Sequence, residues 1–362
     1  MEHIAIDLGG RNSQVCIRNA AGQVVHEKRC PTSALKAFLA DRPESRVVVE
    51  TCAEAFSIAD AALAHGHEVR VVPATLVRSL GVGARRTKTD KRDAQVLSEV
   101  SSRIDLPSVH VPSQEARQRK TLCGMREGLV QARTQLINSV RGWLRTQGHR
   151  IRSGETRSFA LRVRIHFKQA SLQLPRCVER QLTVVEQLSS SIQEATDELE
   201  AAAKKDETCR RLMTVPGVGP TTAVRFVAAI DNVGRFPDAH KLESYLGLVP
   251  GEDSSSERQR RVGITKAGPS ALRWALVQSA WSARRCSQKD PMHEWANEVE
   301  KRRGKRVAVL ALARKIAGIL YALWRDGGTY VPERGSRSLS PMEEALTGHQ
   351  PRRARIQSRY RK

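Results

Sequence analysis

His3-Ile4-Ala5-Ile6-Asp7-Leu8-Gly9-Gly10-Arg11-Asn12-Ser13-Gln14-Val15-Cys16-Ile17-Arg18 opens the chain as two short apolar runs around a glycine turn. The runs His3 to Asp7 and Gln14 to Arg18 read as strands, and a third, Val24 to Lys28, follows Asn19-Ala20-Ala21-Gly22. Both separators carry turn residues, so the spacing predicts consecutive hairpins. Thr32-Ser33 then reads as the cap of a helix carrying Leu35, Phe38 and Leu39. Val47 to Glu50 is a fourth strand. Phe56 to Ala64 is a second helix, stopped at Gly66, and Val69 to Val72 is a fifth strand.

Three antiparallel strands followed by alternating helix and strand is the order of an RNase H-like α/β fold. The same order underlies actin-like sugar kinases, and order alone does not choose between them. Ile6-Asp7-Leu8-Gly9-Gly10 keeps the kinase alternative open, whereas the basic charge and the lack of a second clear glycine-rich phosphate loop count against it.

The 362 residues suggest two domains and a further segment. The formal net charge of +23 attracts polyanions, which makes nucleic acid the leading partner. No uninterrupted apolar stretch near twenty residues is found, so no membrane partner is expected. Met1-Glu2-His3 runs directly into a strand pattern and does not read as a signal peptide. The seven cysteines are scattered and odd in number, which fits reduced thiols in a cytoplasmic protein rather than structural zinc.

The expected organisation has four parts. Residues 1–108 are the α/β domain. Residues 109–206 are a helical coiled-coil arm, because Leu122, Met125, Leu129, Leu136, Val140 and Leu144 recur at three- and four-residue steps. Leu182, Val185, Leu188, Ile192, Ala195 and Leu199 do the same, with a basic stretch from Arg150 to Lys168 between the two series. Such an arm serves either as a plain spacer or as a dimerisation arm that tracks a nucleic-acid backbone. Residues 207–330 are a mostly helical domain opened by Val215-Pro216-Gly217-Val218-Gly219, read as a helix-hairpin-helix. There Gly217 and Gly219 would let amides approach a phosphate; a plain tight turn is the alternative. Leu272 to Ala283 and Val307 to Trp324 are further helices. Residues 331–362 are a basic tail expected to be disordered when free.

Two constellations carry chemistry. Asp7 and Glu50 end apolar strands, and Asp90 and Asp93 lie three apart at a helix start in Lys88-Thr89-Asp90-Lys91-Arg92-Asp93-Ala94. Spacing of three places the pair on one helix face, and the helix N-terminus favours their charge. Together the four acids suit a hard divalent cation, which phosphodiester chemistry needs to offset phosphate charge and activate an oxygen. Asp60 reads as a surface residue. The second constellation is Ser254-Ser255-Ser256 with Arg258, Arg260, Arg261 and Lys266 following. A serine hydroxyl can attack phosphorus when cations hold the phosphoryl oxygens, although three serines after a Pro-Gly turn are also ordinary loop composition.

The layout resembles the transposases and site-specific recombinases of the IS110 family, which includes pilin-gene invertases. The resemblance rests on Ile4-Ala5-Ile6-Asp7, Val48-Val49-Glu50-Thr51, Lys88-Thr89-Asp90-Lys91-Arg92-Asp93-Ala94 and Val215-Pro216-Gly217-Val218-Gly219. It continues through Gly247-Leu248-Val249-Pro250 with Ser255, Ile264-Thr265-Lys266-Ala267-Gly268 and Leu272-Arg273, covering about residues 3 to 325. The resemblance implies a RuvC-like domain whose metal ligands are Asp7, Glu50, Asp90 and Asp93, binding Mg2+. It implies Ser255 as nucleophile, forming a transient phosphoserine link to DNA, with no nucleotide cofactor. It also implies a structured noncoding RNA of the element as guide, and a homo-oligomer, dimer or tetramer, with composite active sites. The family's usual glycine after the serine is Ser256 here. A RuvC-like nuclease using water as nucleophile, and an inactive nucleic-acid-binding relic, are the remaining alternatives.

Overall fold

The first three apolar runs form an antiparallel set: β1 (Glu2–Asp7), β2 (Asn12–Arg18) and β3 (Val24–Pro31). These come from a computed structural model, which describes residues 1–79, 90–252, 261–285 and 290–332. After a 3-10 turn at Thr32–Ala34 come α1 (Leu35–Ala40), β4 (Ser45–Glu50), α2 (Ala55–Ala64), β5 (Glu68–Val72), α3 (Ala74–Ser79) and α4 (Asp90–Arg103). The sheet order is β3-β2-β1-β4-β5, with β4 parallel to β1 and β5 parallel to β4. The expected hairpins and helix–strand alternation are therefore both present. Thr32 does not cap a helix. Its hydroxyl donates to the Gly9 carbonyl at 2.6 Å and meets Ser13 Oγ at 2.8 Å, locking the turn that follows β1.

Both faces of the sheet are covered, which explains why its strands read as apolar runs rather than strict alternation. Ile4, Ile6, Val15, Ile17, Val47, Val49 and Val71 pack with Leu35 and Leu39 of α1 and Ile58, Ala59 and Ala62 of α2. On the other face Ala5, Val48 and Val72 pack with Leu97 of α4 and with Val77 and Leu106. Residues Met1–Ser113 form one compact unit, and Gln114–Lys362 group as the second.

The second unit holds α5 (Gln114–Thr146), α6 (Phe159–Gln169), α7 (Arg176–Lys205), α8 (Glu207–Leu212), α9 (Pro220–Ile230) and α10 (Ala239–Tyr245). The hairpin β6 (Pro250–Glu252) and β7 (Arg261–Ile264) follows, then α11 (Ser270–Ala283), α12 (Pro291–Arg303) and α13 (Lys305–Asp326). Helix α5 spans about 50 Å at about 1.5 Å per residue. It runs antiparallel to α7, as three arginines spaced seven apart record. Arg119 pairs with Asp206 at 2.7 Å, Arg126 donates to Thr196 at 2.8 Å, and Arg133 to Ser189 at 3.3 Å.

The two ends of this helix pair differ. At the far end Ile137, Val140, Leu144, Val178, Leu182 and Val185 close over Phe159, Val163 and Phe167 of α6. At the near end Cys123, Leu199 and Ala203 belong to the main core of α9, α11 and α13. There Arg225, 7% exposed, pairs with Glu127 at 2.7 Å. Burial pushes the Cys123 and Cys209 thiols up, Cys209 to about 12, so both are protonated core residues. Helix α13 is long and apolar enough to cross a membrane by length and composition. Its Leu312, Ala313, Ile316, Leu320 and Tyr321 are instead the centre of the second unit's core.

Candidate active site

Register determines what the N-terminal acids can do together. Strands β1 and β4 are parallel, with Ile4 beside Val47, Ala5 beside Val48 and Ile6 beside Val49. One further step brings Asp7 and Glu50 to neighbouring strand ends. Period-two alternation fixes their face: Ala5 and Val48 pack against α4, so Asp7 and Glu50, two residues on, belong to the α4 side as well.

Helix α4 crosses this face in the direction opposite to β1. His3 Nδ1 meets Ser101 Oγ at 3.0 Å, and Leu97 shares a core layer with Ala5. Four residues of helix advance about 6 Å and two residues of strand about 6.6 Å, so the two elements stay in step. Ser101 lies at His3 and Leu97 at the layer of Ala5, which brings Asp93 to the level of Asp7. Asp93 is 7% exposed, while Asp90, one turn earlier, is exposed at the first position of α4.

Further bonds hold the helix in this register. Arg18 Nε donates to Ser98 Oγ at 3.0 Å, and Ser98 Oγ to Cys16 Sγ at 3.2 Å. Lys91 pairs with Glu27 of β3 at 2.9 Å, and Gln95 bonds the same carboxylate. The Lys91 and Gln95 bonds hold Glu27 below the usual carboxylate range. Burial and Arg46 push His3 down, so Ser101 faces a neutral imidazole. At the neighbouring strand end, Thr51 donates its amide to Val72 and accepts from the Ala74 amide through Oγ1 at 3.1 Å.

The result is a carboxylate edge built from β1, β4 and the first turn of α4. Its donors are all hard oxygens, the chemistry that suits a divalent cation. The partial positive charge at the α4 N-terminus offsets part of their mutual repulsion. Among the described residues, no three histidine, cysteine, aspartate or glutamate side chains stand together as a formed metal-ligand set. The strand register sets Asp7 and Glu50 at neighbouring ends, and Asp93 lies on the helix that covers that face, with Asp90 exposed one turn before it; these positions do not close a ligand cage. Asp60 belongs to α2, on the opposite side of the sheet.

The serine constellation centres on the β6–β7 hairpin. Ser254, Ser255, Ser256, Arg258 and Arg260 lie outside the described residues. The ends of their connection are fixed: Pro250 pairs with Ile264, and Glu252 with Arg261. Two glycines clamp the hairpin base. A Cβ on Gly247 (φ +66°) would lie 2.4 Å from the Ala267 backbone, and one on Gly268 (φ +66°) would lie 1.9 Å from the Tyr245 carbonyl oxygen. Sequence reading did not anticipate Arg273 as the brace of this loop; it donates to Leu246 O at 3.0 Å and Ala267 O at 2.6 Å. Lys266 is exposed and held at φ +57°, a conformation non-glycine residues adopt only under constraint. Gly268→Ala is therefore expected to destabilise the second unit by at least about 2 kcal/mol, since left-handed strain alone costs about 1–2 kcal/mol. Thermal denaturation of the full chain checks this; an unchanged melting temperature would show that the clamp is not needed.

The glycines between α8 and α9 have different environments. Gly217 (φ +84°) is pressed against α11, where a Cβ would lie 2.3 Å from the Ser279 carbonyl oxygen. Its freedom thus serves helix packing. Gly219 is the N-cap of α9, with open space where a side chain would be.

Comparison with known proteins adds family context to this geometry. Residues 209–294 match a family model described as "Transposase IS116/IS110/IS902 family", and residues 4–147 match a DEDD-type IS110 model described as "Transposase". The chain is 28% identical over 333 residues to the transposase for insertion sequence element IS1111A of Coxiella burnetii, covering 90% of each chain. It is 28% identical to the transposase for IS1328 of Yersinia enterocolitica, over 90% of this chain and 98% of that one. A putative transposase, y4qE, of Sinorhizobium fredii is 30% identical over 286 residues, 72% of this chain and 70% of its own length.

Proposed function

Since this chain belongs to the IS116/IS110/IS902 family of transposases, we propose that its acidic edge and Ser255 together cut and rejoin the DNA of an insertion element. The observation that carries the reading is the shared register: Asp7, Glu50 and Asp93 reach one end of one sheet face, with Asp90 a helical turn away. A RuvC-like domain of this design would hold Mg2+ through these carboxylates. The bound cation supplies charge neutralisation at the phosphate and lowers the pKa of an attacking or leaving oxygen.

The chain's own residues do the rest. Ser255 Oγ attacks phosphorus, its proton passes to a base, and the P–O bond to the displaced strand end breaks, giving a phosphoserine link and a free DNA hydroxyl. A hydroxyl from another strand then attacks the linked phosphorus, and the serine leaves with a proton restored. One phosphodiester replaces another, so no nucleotide cofactor is required. Arg258, Arg260, Arg261 and Lys266 would hold the phosphoryl oxygens. Gly219 at the N-terminus of α9 offers a backbone contact to DNA phosphate, with Gly217 placing the helix-hairpin-helix turn against α11. Family likeness further supports a guide RNA, and a homo-oligomer in which serine and acids come from different copies. Helices α5 and α7 form the coiled-coil arm of such an assembly.

The test is incubation of the full chain with DNA carrying candidate element ends, Mg2+ and co-expressed flanking RNA, read on denaturing gels. A protein-linked strand or recombinant junction is expected. Free cleaved ends without attached protein would favour a water-using nuclease, and binding without breakage in any divalent metal would favour an inactive relic.

A further inference from the structure

The far end of the α5–α7 pair carries a concentration of charge that the active-site reading does not use. Residues 128–178 contain ten Arg or Lys and one acidic residue, Glu155. Helix α5 ends at Thr146, Gly148 (φ +75°) turns the chain, and His149 N bonds back to Leu144 O at 2.8 Å. The chain thus folds over the last turn of its own helix. The fold-back creates a cleft of about 510 Å³ lined by Arg141, Leu144, Arg145, His149, Arg150 and Ser153.

Three guanidinium groups surround this cleft. Arg141 and Arg145 are four apart on one helix face, about 6 Å along the axis, and Arg150 comes from the fold-back. All three are exposed, and none has a carboxylate partner among the described residues. Arg141 is braced over the Phe159 ring at 5.3 Å. On α6, Arg162 is tied to Glu155 O and Ser158 Oγ, yet its Nε and Nη2 are buried without a hydrogen-bond partner, as is Arg133 Nε on α5. Burial chiefly, and then the neighbouring Arg126 and Arg157, push the Arg133 guanidinium down. Arg164 is the contrast: Glu179 and Glu186 both bind it.

We infer that the arm-tip cleft of Arg141, Arg145 and Arg150 is a second nucleic-acid contact, binding consecutive phosphates of a phosphodiester backbone remote in sequence from the acidic edge and the serine hairpin. Planar guanidinium groups suit phosphate oxygens bidentately. Their spacing along α5 is of the order of the separation of successive phosphates on one strand. The pairing of Arg164 with two glutamates shows that charge at this tip is neutralised where the fold requires it, while these three are left available. The inference rests on the reading of the chain as a protein that handles nucleic acid, and it names where a DNA arm or a guide RNA would be gripped.

The experiment is the salt dependence of binding by the full chain, wild type against the triple variant Arg141→Gln/Arg145→Gln/Arg150→Gln. The probes are a DNA duplex, an RNA hairpin and an anionic phospholipid vesicle. Losing three phosphate contacts is expected to lower the slope of log K against log salt by about 3 for a B-DNA ligand and about 2 for single-stranded RNA. The probe that shows the drop identifies the backbone held. Arg164→Gln should leave the slope unchanged, and thermal melting should show all variants folded. Equal slopes for wild type and triple variant on both nucleic acids would overturn the proposal. So would an effect confined to vesicles, or an equal effect from Arg164→Gln. The slope is read without strand cleavage, so it stands or falls separately from the active-site chemistry.

Discussion

Asp93→Asn is expected to reduce metal-dependent strand cleavage by on the order of 10³-fold while leaving the fold intact, since charge stabilisation of that kind contributes several kcal/mol at a reacting phosphate. Asp93 is the acid whose placement is most constrained. It is buried, it lies four residues before Leu97 in the sheet-facing stripe of α4, and it reaches the level of Asp7. Replacing the carboxylate by an amide keeps shape and burial but removes the charge. The helix loses an N-terminal anion worth about 0.3–1 kcal/mol, which is set against relief of repulsion from Asp7 and Glu50. The melting temperature should therefore move little. Asp60→Asn, on the opposite side of the sheet, should leave cleavage at wild-type level. Equal activity of Asp93→Asn and wild type on the same DNA would remove the acidic edge from the mechanism.

Ser255→Ala is the second large effect. Covalent protein–DNA adducts should vanish on denaturing gels, while equilibrium DNA binding stays within about twofold, because a single neutral hydroxyl adds little beside the phosphate contacts of arginine and lysine. Ser254→Ala and Ser256→Ala should retain adducts. If one of these neighbours, rather than Ser255, abolishes them, the nucleophile moves to that residue; adducts in all three would move it out of the hairpin. Mass spectrometry of the linked peptide gives the same assignment independently.

Much of the N-terminal fold was legible because its strands are short, apolar and separated by turn residues, so Asp7 and Glu50 could be recognised as strand ends. The face they occupy was not legible. It depends on β1 and β4 lying parallel and adjacent, and on α4 running back along β1, neither of which local pattern reveals. Thr32 was misread as a cap because its hydroxyl bonds across the sheet edge to Gly9, a partner 23 residues away. In the second unit, three- and four-residue periodicity exposed α5 and α7. It did not reveal that their near ends belong to the same core as α9 and α13, because that depends on long-range contacts such as Arg225 with Glu127. Gly217 shows the same limit: its pattern marks a glycine in a tight turn, but not that α11 lies against it. The clamp made by Gly247 and Gly268 was visible only as two separate motifs, since the backbone approach that joins them leaves no mark in either segment.

The most direct test of the carboxylate edge is Mn2+ binding to the full chain, followed by electron paramagnetic resonance in the absence of DNA. Saturable binding by the wild type, lost in Asp7→Asn and in Asp93→Asn but retained in Asp60→Asn, is the predicted result. Titrations of Asp7→Asn and Asp93→Asn that superimpose on the wild type would contradict the account, because they would show that residues far apart in the sequence do not share one cation.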